Sequence, residues 1–335
     1  MIRVIQFLRQ SSSGAYSLER LYEDVRAFIP NDIYIETRFN RFPSKGILGR
    51  IFDMLSAALV QRNVNHITGD VHYLAYFLRR KRTILTILDC VGLEKSKGVR
   101  FWILWFLWYW LPEKCCTVIV VISESTRHQL IRHLNCDPDK IKVIYCTVSQ
   151  EFCFYRKEFN NSCPTILHVG VTENKNLEAH AAALQGLTCN FVIIGRLSDA
   201  QTQSLEKYKI HYENLFDLSS AELVEQYKRC DILLFASTYE GFGLPIVEAQ
   251  AIGRPVITSN IWSMPEVAGD AACLVNPFDI DSIRYGVKRV ISDTEYRESL
   301  IQRGLKNVER FRSEVIALQY AALYREVYKY AVRRI

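Results

Sequence analysis

The sequence predicts an α/β protein made of two Rossmann-like domains, each built on its own parallel β-sheet. Short apolar runs typical of buried strands alternate along the chain with amphipathic stretches typical of helices. These runs form two series of similar size, separated by a polar segment that ends at Pro164. A chain of 335 residues is also long enough to form two hydrophobic cores.

The strand-like runs can be placed in order along the two domains. In the first domain, residues 1–150, the predicted strands are Val4–Leu8, Ile33–Ile35, His66–Thr68, Thr83–Leu88, Val118–Ile122 and Ile141–Ile144. In the second domain, residues 151–335, they are Thr165–Val169, Cys189–Ile194, Ile232–Ala236, Pro255–Thr258 and Ala272–Leu274. A closing helix is predicted over about 314–334, because apolar residues recur there at helical spacing.

Composition and charge narrow the possible functions. A hydrophobic fraction of 49% and a charged fraction of 23% are typical of an ordinary globular protein. The first 150 residues hold 21 Lys and Arg against 13 Asp and Glu, whereas the remainder holds 21 against 23. The basic excess therefore lies in the first domain and predicts an anionic partner there, a membrane surface or a phosphorylated acceptor. We expect no nucleic-acid partner, because no nucleic-acid-binding module is recognisable.

The cysteines and the amino terminus indicate an intracellular protein. The ten cysteines contain no C-x-x-C pair, so they predict neither a zinc site nor a disulfide framework. Reduced thiols in the cytoplasm are the simpler interpretation. The apolar stretch that starts at Met1 is too short for a signal peptide and is typical of a first strand, so we expect no secretion.

The most informative stretch is Ser237–Glu248, which places two carboxylates on either side of a glycine-rich turn. Gly241 and Gly243 allow the backbone to approach a ligand closely, and Pro245 suits the first position of a helix. On this interpretation Glu248 falls in the first helical turn, beside backbone N–H groups that can bind phosphate. Local physics alone leaves a purely structural role equally open, because an acidic first turn is also stabilised by the helix dipole.

A resemblance to a known family decides between these readings. Ser237–Glu248 resembles the Glu-x7-Glu motif of retaining family-four (group 1) glycosyltransferases of the GT-B fold. Other segments are similar to the same family, namely 168–170, 175–177, 251–257 and 264–272. The resemblance implies two domains that face each other across a cleft and a C-terminal helix that crosses back to the first domain. It also implies transfer of a sugar from a nucleotide-diphosphate donor to an acceptor hydroxyl with retention of configuration.

The family motifs, carried over residue by residue, imply a set of donor-binding residues and a catalytic Glu240. The implied donor-binding residues are Gly14, Gly170, Lys175, Asn176, Arg196, Leu218, Gly241, Phe242, Gly243, Leu244 and Glu248. Val171 stands where many relatives carry a phosphate-binding arginine, and Arg196 is a weak substitute for it.

In the first domain the resemblance points to residues that follow strands. Asp89 matches a family aspartate, but the histidine that often precedes it is replaced by Leu88. His72 also follows a strand, which makes it a candidate to contact the transferred sugar, although a lone histidine is more often structural. We therefore predict Glu240, His72 and Asp89 as catalytic residues.

The sequence predicts a reaction without cofactor or metal. Two Asp-x-Asp pairs, 137–139 and 279–281, lie in turn-like segments that by resemblance are remote from the donor. The donor diphosphate would instead be neutralised by Lys175 and by N–H groups at a helix start.

The segment Phe101–Leu111 is apolar on all sides and carries four tryptophans between basic residues. Its eleven residues are too few to span a bilayer, which needs about 20. A buried helix explains the apolar residues, whereas contact with an anionic membrane also explains the flanking charges. We therefore expect peripheral membrane contact at the cytoplasmic face and a saccharide or lipid-linked saccharide acceptor of surface polysaccharide or lipopolysaccharide synthesis.

Two other functions remain open from the sequence. A nucleotide-sugar epimerase shares the fold and would act on the donor without an acceptor. A sugar-nucleotide-binding protein without activity is the alternative outside catalysis, and the departures at Leu88 and Val171 lend it support.

Overall fold

The structure is a computed structural model that describes residues 1–9, 17–42 and 46–332. The chain divides into two compact units. The first unit comprises Met1–Thr147 together with the last helix, which begins at Ser313. The second unit comprises Val148–Arg312. The second domain predicted from the sequence, residues 151–335, therefore includes a C-terminal helix that packs with the first unit in the structure.

The first unit is built on a six-stranded parallel sheet. Its strands are β1 Ile2–Leu8, β2 Ile33–Phe39, β3 Val64–Ile67, β4 Thr83–Ile87, β5 Val118–Val121 and β6 Ile141–Val143. Their order across the sheet is β2-β1-β3-β4-β5-β6, and every pair is parallel. The chain begins next to one edge of the sheet, forms that edge with β2 and then adds the other four strands in order on the far side of β1.

Helices connect these strands. They are α1 Ser17–Ala27, α2 Ile47–Leu59, α3 Val91–Lys95, α4 Gly98–Leu104, α5 Leu111–Lys114 and α6 Glu124–Leu134. The tryptophan-rich segment runs from α4 through a π-helical stretch, Trp105–Trp110, into α5. One face packs on the core of the first unit, whereas Trp102 and Phe106 lie exposed. Among the described residues, no helix combines the length and apolar character needed to cross a membrane.

The second unit repeats the same design. Its strands are β7 Thr165–Val169, β8 Asn190–Ile194, β9 Tyr212–Leu215, β10 Ile232–Phe235, β11 Val256–Ser259 and β12 Cys273–Val275. Their order is β12-β11-β10-β7-β8-β9, again with parallel pairing throughout. Its helices are α7 Leu177–Leu184, α8 Asp199–Lys207, α9 Ser220–Arg229, α10 Leu244–Ile252, α11 Met264–Ala268, α12 Ile280–Ser292 and α13 Thr294–Val308. The last helix of the chain, α14 Ser313–Val332, belongs to the first unit.

These observations confirm the predicted α/β class with two parallel sheets and a returning C-terminal helix. The sequence analysis did not predict one strand, β9, which carries Glu213 and Asn214 and forms an edge of the second sheet beside β8. An edge strand needs no continuous apolar run, so its sequence gives a weak signal. The predicted linker, residues 148–164, is also packed on the second unit: the Asp231 carboxylate accepts hydrogen bonds from the backbone N–H groups of Asn160 and Thr165.

A buried polar network fixes α14 to the first unit. The imidazole of His66 on β3 lies 2.9 Å from the Tyr324 hydroxyl through Nδ1 and 2.8 Å from Thr86 Oγ1 through Nε2. The Tyr324 hydroxyl also accepts a hydrogen bond from Gln6 Nε2 at 3.1 Å, and the Tyr22 hydroxyl lies 3.4 Å from that of Tyr320. Burial lowers the pKa of His66 to about 3, so this imidazole is neutral in the folded protein near pH 7.

The network predicts a pH dependence of stability. An unfolded histidine binds a proton below about pH 6.5, whereas folded His66 does not until about pH 3. Stability is therefore fully present above pH 6.5 and falls as the pH drops towards 3, because unfolding takes up a proton. This group contributes a slope of about 1.4 kcal/mol per pH unit between about pH 6 and 4.

We expect His66→Asn to remove this slope in urea unfolding followed by tryptophan fluorescence. Trp102, Trp105, Trp108 and Trp110 lie in the first unit, so the signal reports mainly on it. His128→Asn, at an exposed position of α6, is the control and should keep the parent slope. Identical slopes in the His66 variant and the parent would contradict the assignment.

Candidate functional site

The candidate site lies in the second unit, where the loops after β7 and β10 leave the same edge of the sheet. Parallel strands place their carboxyl ends together, and ligands of open α/β sheets bind at that edge. The backbone N–H of Thr238, after β10, donates to the carbonyl oxygen of Asn174, after β7, at 2.8 Å. The two loops are therefore joined directly.

Gly170 makes room for Lys175. Its φ of +89° lies in the left-handed region, and a Cβ there would stand 3.0 Å from Lys175 Cε. The lysine chain therefore passes close over the glycine. Its Nζ lies 2.6 Å from Glu240 Oε1 and 4.5 Å from the centre of the Phe235 ring.

Glu240 is held by two donors and keeps one oxygen open. Its Oε1 accepts from Lys175 Nζ and, at 3.3 Å, from Asn174 Nδ2. Its Oε2 accepts no hydrogen bond from any residue in the described ranges. An ionised carboxylate offers about four lone-pair positions, so this side chain, 13% exposed, can still accept from a ligand hydroxyl.

Asn176 ties three strand ends together. It adopts left-handed backbone angles, φ 63° and ψ 33°, directly before α7. Its Nδ2 donates to the carbonyl oxygen of Ala236, after β10, at 3.1 Å and to that of Pro277, after β12, at 2.7 Å. A single amide group thereby links the loops that follow β7, β10 and β12.

Two buried histidines support the same loops. Nε2 of His180 lies 3.3 Å from the Ala236 carbonyl oxygen and must donate to it, because a carbonyl only accepts. Burial lowers the pKa of His180 to about 4, so its Nδ1 is an acceptor, and Nδ1 of His168, 2.9 Å away, is the donor. The sequence analysis did not predict this histidine pair, because it assigned His168 only to a strand.

Further side chains hold the backbone of the loop after β10. Ser263 Oγ lies 2.9 Å from the carbonyl oxygens of both Glu240 and Phe242. Trp262 Nε1 donates to the Thr238 carbonyl oxygen at 2.9 Å. The loop that carries Glu240 is therefore fixed from the segment before α11, a contribution that the linear motif does not show.

The glycine-rich turn starts α10 close to the predicted position. Gly243 has φ +106°, and the helix runs from Leu244 to Ile252 and ends at a left-handed Gly253. Pro245 is the second helical residue and Glu248 the fifth, so the prediction that Glu248 lies in the first turn was wrong. The ring of Phe242 is buried against Phe311, at 5.6 Å between ring centres.

Glu248 is positioned by a tyrosine from the preceding helix. The hydroxyl of Tyr227, on α9, donates to Glu248 Oε2 at 2.6 Å. Burial and, next, the neighbouring Glu248 carboxylate raise the pKa of Tyr227, so its hydroxyl keeps its proton and remains a donor. No sequence pattern pointed to Tyr227, because it occupies an ordinary buried position of an amphipathic helix.

Arg196 and Leu218 lie on the loops after β8 and β9 at the same sheet edge. Arg196 is exposed, forms an ion pair with Asp217 and stacks 4.3 Å over the Phe216 ring. Leu218 is half-buried, and the next residue, Ser219, caps α9 with its side chain. Direct contacts therefore join Lys175 to Glu240 and Gly170, whereas Arg196 is engaged with its own neighbours.

The predicted residues of the first unit have local partners. His72 is 4% exposed, and its Nδ1 lies 2.7 Å from the Trp108 carbonyl oxygen, which makes Nδ1 a donor and Nε2 an acceptor. Burial lowers the pKa of His72. Asp89 Oδ1 accepts from the Val91 N–H at 2.9 Å at the start of α3. Gly14 lies outside the described residues.

Potential metal ligands are dispersed. Within residues 1–9, 17–42 and 46–332, no three His, Cys, Asp or Glu side chains come together in a group that could hold a metal ion.

The fold and this site define a class of protein, the GT-B type with two Rossmann-like units. Solved structures of this architecture cover nearly all of the chain. Sucrose-phosphate synthase from Thermosynechococcus elongatus matches 98% of this chain and 100% of its own with a TM-score of 0.79 at 17% identity. HepE of Anabaena, solved in complex with UDP and glucose, matches 97% and 100% with a TM-score of 0.77 at 15% identity.

The family follows from the sequence. Residues 150–307 match the family described as glycosyl transferases group 1. Residues 150–307, nearly the whole second unit, therefore belong to this family of glycosyltransferases, as the Glu-x7-Glu motif and its flanks predicted.

Curated relatives share parts of the chain. O-antigen chain mannosyltransferase B of Escherichia coli is 38% identical over 99 residues, which are 30% of this chain and 26% of that protein. CapM, a capsular polysaccharide biosynthesis glycosyltransferase of Staphylococcus aureus, is 24% identical over 281 residues, 76% of this chain and 73% of that protein. The chain thus spans about a quarter of the first relative's length and most of the second's.

The contacts of Asn176 generate a stability prediction. Asn176→Gly keeps a residue that tolerates left-handed angles but removes both amide hydrogen bonds, and it leaves the buried Pro277 carbonyl oxygen without this donor. We expect a loss of roughly 1–3 kcal/mol in the free energy of unfolding, measured by urea denaturation. Asn176→Ala should lose about 1–2 kcal/mol more, because alanine resists left-handed angles. A glycine variant as stable as the parent would show that the amide does not hold the loops.

Proposed function

We propose that this protein transfers a sugar from a nucleotide-diphosphate donor to an acceptor hydroxyl with retention of anomeric configuration. The observation that carries the proposal is the pairing of Lys175 with Glu240 at the sheet edge, where a cation meets a carboxylate that keeps one oxygen open. Membership of the group 1 glycosyltransferases supports it. The solved complex of HepE with UDP-glucose is a structural neighbour that holds such a donor.

Each residue of the site has a role in this proposal. The ammonium of Lys175 neutralises the donor diphosphate together with N–H groups at the start of α10. Glu248, fixed by Tyr227, accepts hydrogen bonds from the ribose hydroxyls. Glu240 Oε2 accepts from a hydroxyl of the transferred sugar. Gly241, Phe242, Gly243 and Leu244 shape the turn that approaches the phosphates.

In the reaction the bond from the anomeric carbon to the leaving phosphate oxygen breaks, and a bond to the acceptor oxygen forms on the same face. The acceptor proton passes to an oxygen of the leaving phosphate. The protein contributes positioning and charge stabilisation. From the first unit we assign the sugar contacts to His72, through its acceptor Nε2, and to Asp89.

The acceptor that we propose is a saccharide or lipid-linked saccharide of a surface polysaccharide or lipopolysaccharide, used at the cytoplasmic face of a membrane. The names of the relatives, an O-antigen mannosyltransferase and a capsular polysaccharide glycosyltransferase, support this substrate class. The exposed side chains of Trp102, at 62%, and Phe106, at 44%, support contact with lipid. The other face of the same segment packs on the core, as expected for a buried helix.

Donor turnover with and without acceptor tests the proposal. Candidate nucleotide sugars are first screened for thermal stabilisation of the protein. We expect turnover of the stabilising donor that rises with saccharide acceptor and a product of retained configuration by NMR. Conversion of the donor sugar without acceptor would identify an epimerase. Binding without either reaction would identify an inactive sugar-nucleotide-binding protein.

The two glutamates should affect different parts of the donor. Glu248→Ala should weaken binding of the nucleoside diphosphate roughly tenfold or more, since ribose hydroxyls are left unpaired at a cost of about 1–3 kcal/mol. Glu240→Gln should leave that affinity unchanged and weaken the intact donor. Calorimetric titration measures both, with Glu206→Ala on the exposed face of α8 as a control. Parent-like donor binding by both variants would overturn the roles given to this motif.

Activity should survive removal of divalent cations. The proposal neutralises the diphosphate with Lys175 and backbone N–H groups, so no metal ion is required. We expect unchanged initial rates after dialysis against EDTA. Loss of turnover that manganese or magnesium restores would show that a cation takes part.

A further inference from the structure

The first unit contains an arginine-lined cavity on the sheet edge opposite the carboxyl ends of its strands. The cavity measures about 330 Å³ and is lined by Arg3, Ala58, Leu59, Gln61, Arg62, Asn63, Arg79 and Arg82. Arg3 stands at the amino end of β1, Asn63 directly before β3 and Arg82 directly before β4. We name it the arginine pocket. It is separate from the loops that carry His72 and Asp89, which follow strands β3 and β4.

Three of its four guanidinium groups form no salt bridge, although Arg3 lies close enough to the Glu36 carboxylate to help lower its pKa. Arg62 is neutralised by Glu36, with Nη2 2.8 Å from the carboxylate. In the part of the chain that the structure describes, the guanidinium groups of Arg3, Arg79 and Arg82 make no hydrogen bond and no ion pair. Like charges that converge on one cavity repel each other, and a bound anion removes that repulsion.

Hydrogen bonds within the first unit hold residues of the arginine pocket in place. The side chain of Gln61 donates to the Ala58 carbonyl oxygen at 2.9 Å, and its Oε1 accepts from the Arg79 N–H at 2.7 Å. It thereby holds the end of α2 against the segment before β4. The Arg62 guanidinium is fixed in addition by the Val60 carbonyl oxygen at 3.0 Å. The positions of the lining residues are therefore set by hydrogen bonds on two sides.

An outward apolar face of α2 adjoins the pocket. Asp53, Met54 and Ala57 face the interior, but the opposite face carries Leu48, Ile51, Phe52, Leu55 and Leu59. Leu48 is 84% exposed, Leu55 52% and Leu59 87%. A helix that is apolar on both faces is typical of one that is covered on both sides. Leu59 also lines the arginine pocket, so the apolar face and the cationic cavity form one continuous surface.

Helix α2 also contacts the tryptophan-rich segment. The guanidinium of Arg50, on α2, lies 4.9 Å from the ring centre of Trp108. The two helices with exposed apolar side chains in the first unit are therefore neighbours, with the Arg50 guanidinium between them.

We infer that the arginine pocket binds the phosphate of an anionic phospholipid headgroup while the outward face of α2 enters the apolar region of the same leaflet. The ligand chemistry is a phosphate ester. The adjoining leucines favour a lipid over a free phosphate, because a soluble anion would leave them in water. The inference deepens the proposed membrane contact and rests on it, but it assigns the contact to α2 and the arginine pocket, which the sequence did not indicate.

Vesicle sedimentation tests the inference on the full chain. The vesicles are phosphatidylcholine with or without phosphatidylglycerol, at low and high salt. We expect the parent protein to bind the vesicles with phosphatidylglycerol at low salt. It should bind neither these vesicles at high salt nor the vesicles of phosphatidylcholine alone. The double variant Arg79→Ser with Arg82→Ser should bind about 25-fold more weakly, about fivefold for each arginine removed. The matched control, Lys288→Ser with Lys306→Ser on the second unit, removes the same charge from exposed positions and should bind like the parent.

The apolar contribution is tested in the same way. Leu55→Ser, at a site 52% exposed, should weaken vesicle binding several-fold, whereas Leu318→Ser on α14, at a site 58% exposed, should not. Both positions face solvent, so neither change should lower the thermal unfolding temperature appreciably. Circular dichroism of every variant confirms that the fold is retained.

The outcomes separate the possible sources of phosphate and the two proposals. If glycerol 3-phosphate or inorganic phosphate stabilised the parent but not the arginine variant, and vesicles did not bind, the pocket would serve a soluble anion and the lipid assignment would be overturned. If vesicle binding were lost in Trp102→Ser but kept in the arginine and Leu55 variants, the inference would fail and the proposed membrane contact would stand. Donor turnover with a soluble acceptor should be equal in all these variants, so a failure here leaves the proposed transfer reaction untouched.

Discussion

The amide of Asn176 is the contact on which the geometry of the second unit's site depends. Parallel strands deliver their loops to one edge of a sheet, but nothing in a sheet fixes those loops relative to one another. Asn176 does so by donating from the end of β7 to carbonyl oxygens after β10 and β12. Its left-handed backbone also turns the chain into α7. Lys175 and Glu240 can form their short ion pair because the loops that carry them have been fixed in this way.

Many residues of this site could be predicted from local sequence, whereas the side chains that hold them in position could be predicted less well. The alternation of apolar runs predicted eleven of the twelve strands that the structure describes, because buried parallel strands are continuously apolar. The glycines and Glu240 were predictable because the relevant property, a missing side chain that allows close approach or a charge, belongs to the residue itself. Tyr227, Ser263 and His180 were not, since each contacts a residue distant in sequence and looks like any other buried residue of its segment.

The same reasoning explains why the first unit was harder to interpret. The basic excess of residues 1–150 was visible in the sequence, but its location was not, because Arg3, Arg62 and Arg79 come from three separate segments. The sequence drew attention to the tryptophan run, whose residues are contiguous. The outward apolar face of α2 could not be recognised from the sequence, because the side of the helix that faces the core is apolar as well. Exposure depends on tertiary packing, and periodicity cannot reveal it when both faces of a helix are apolar.

The return of α14 to the first unit makes the second unit an insertion in the chain. Within the second unit, Val148 at its start pairs with Arg312 at its end. Within the first, the hydroxyls of Thr147 and Ser313 lie 2.8 Å apart. Each unit therefore has neighbouring ends at the junction. Recombination can exchange residues 148–312 as one cassette, and a direct peptide link between 147 and 313 would close the first unit without them. The two units can consequently evolve as separately inherited modules.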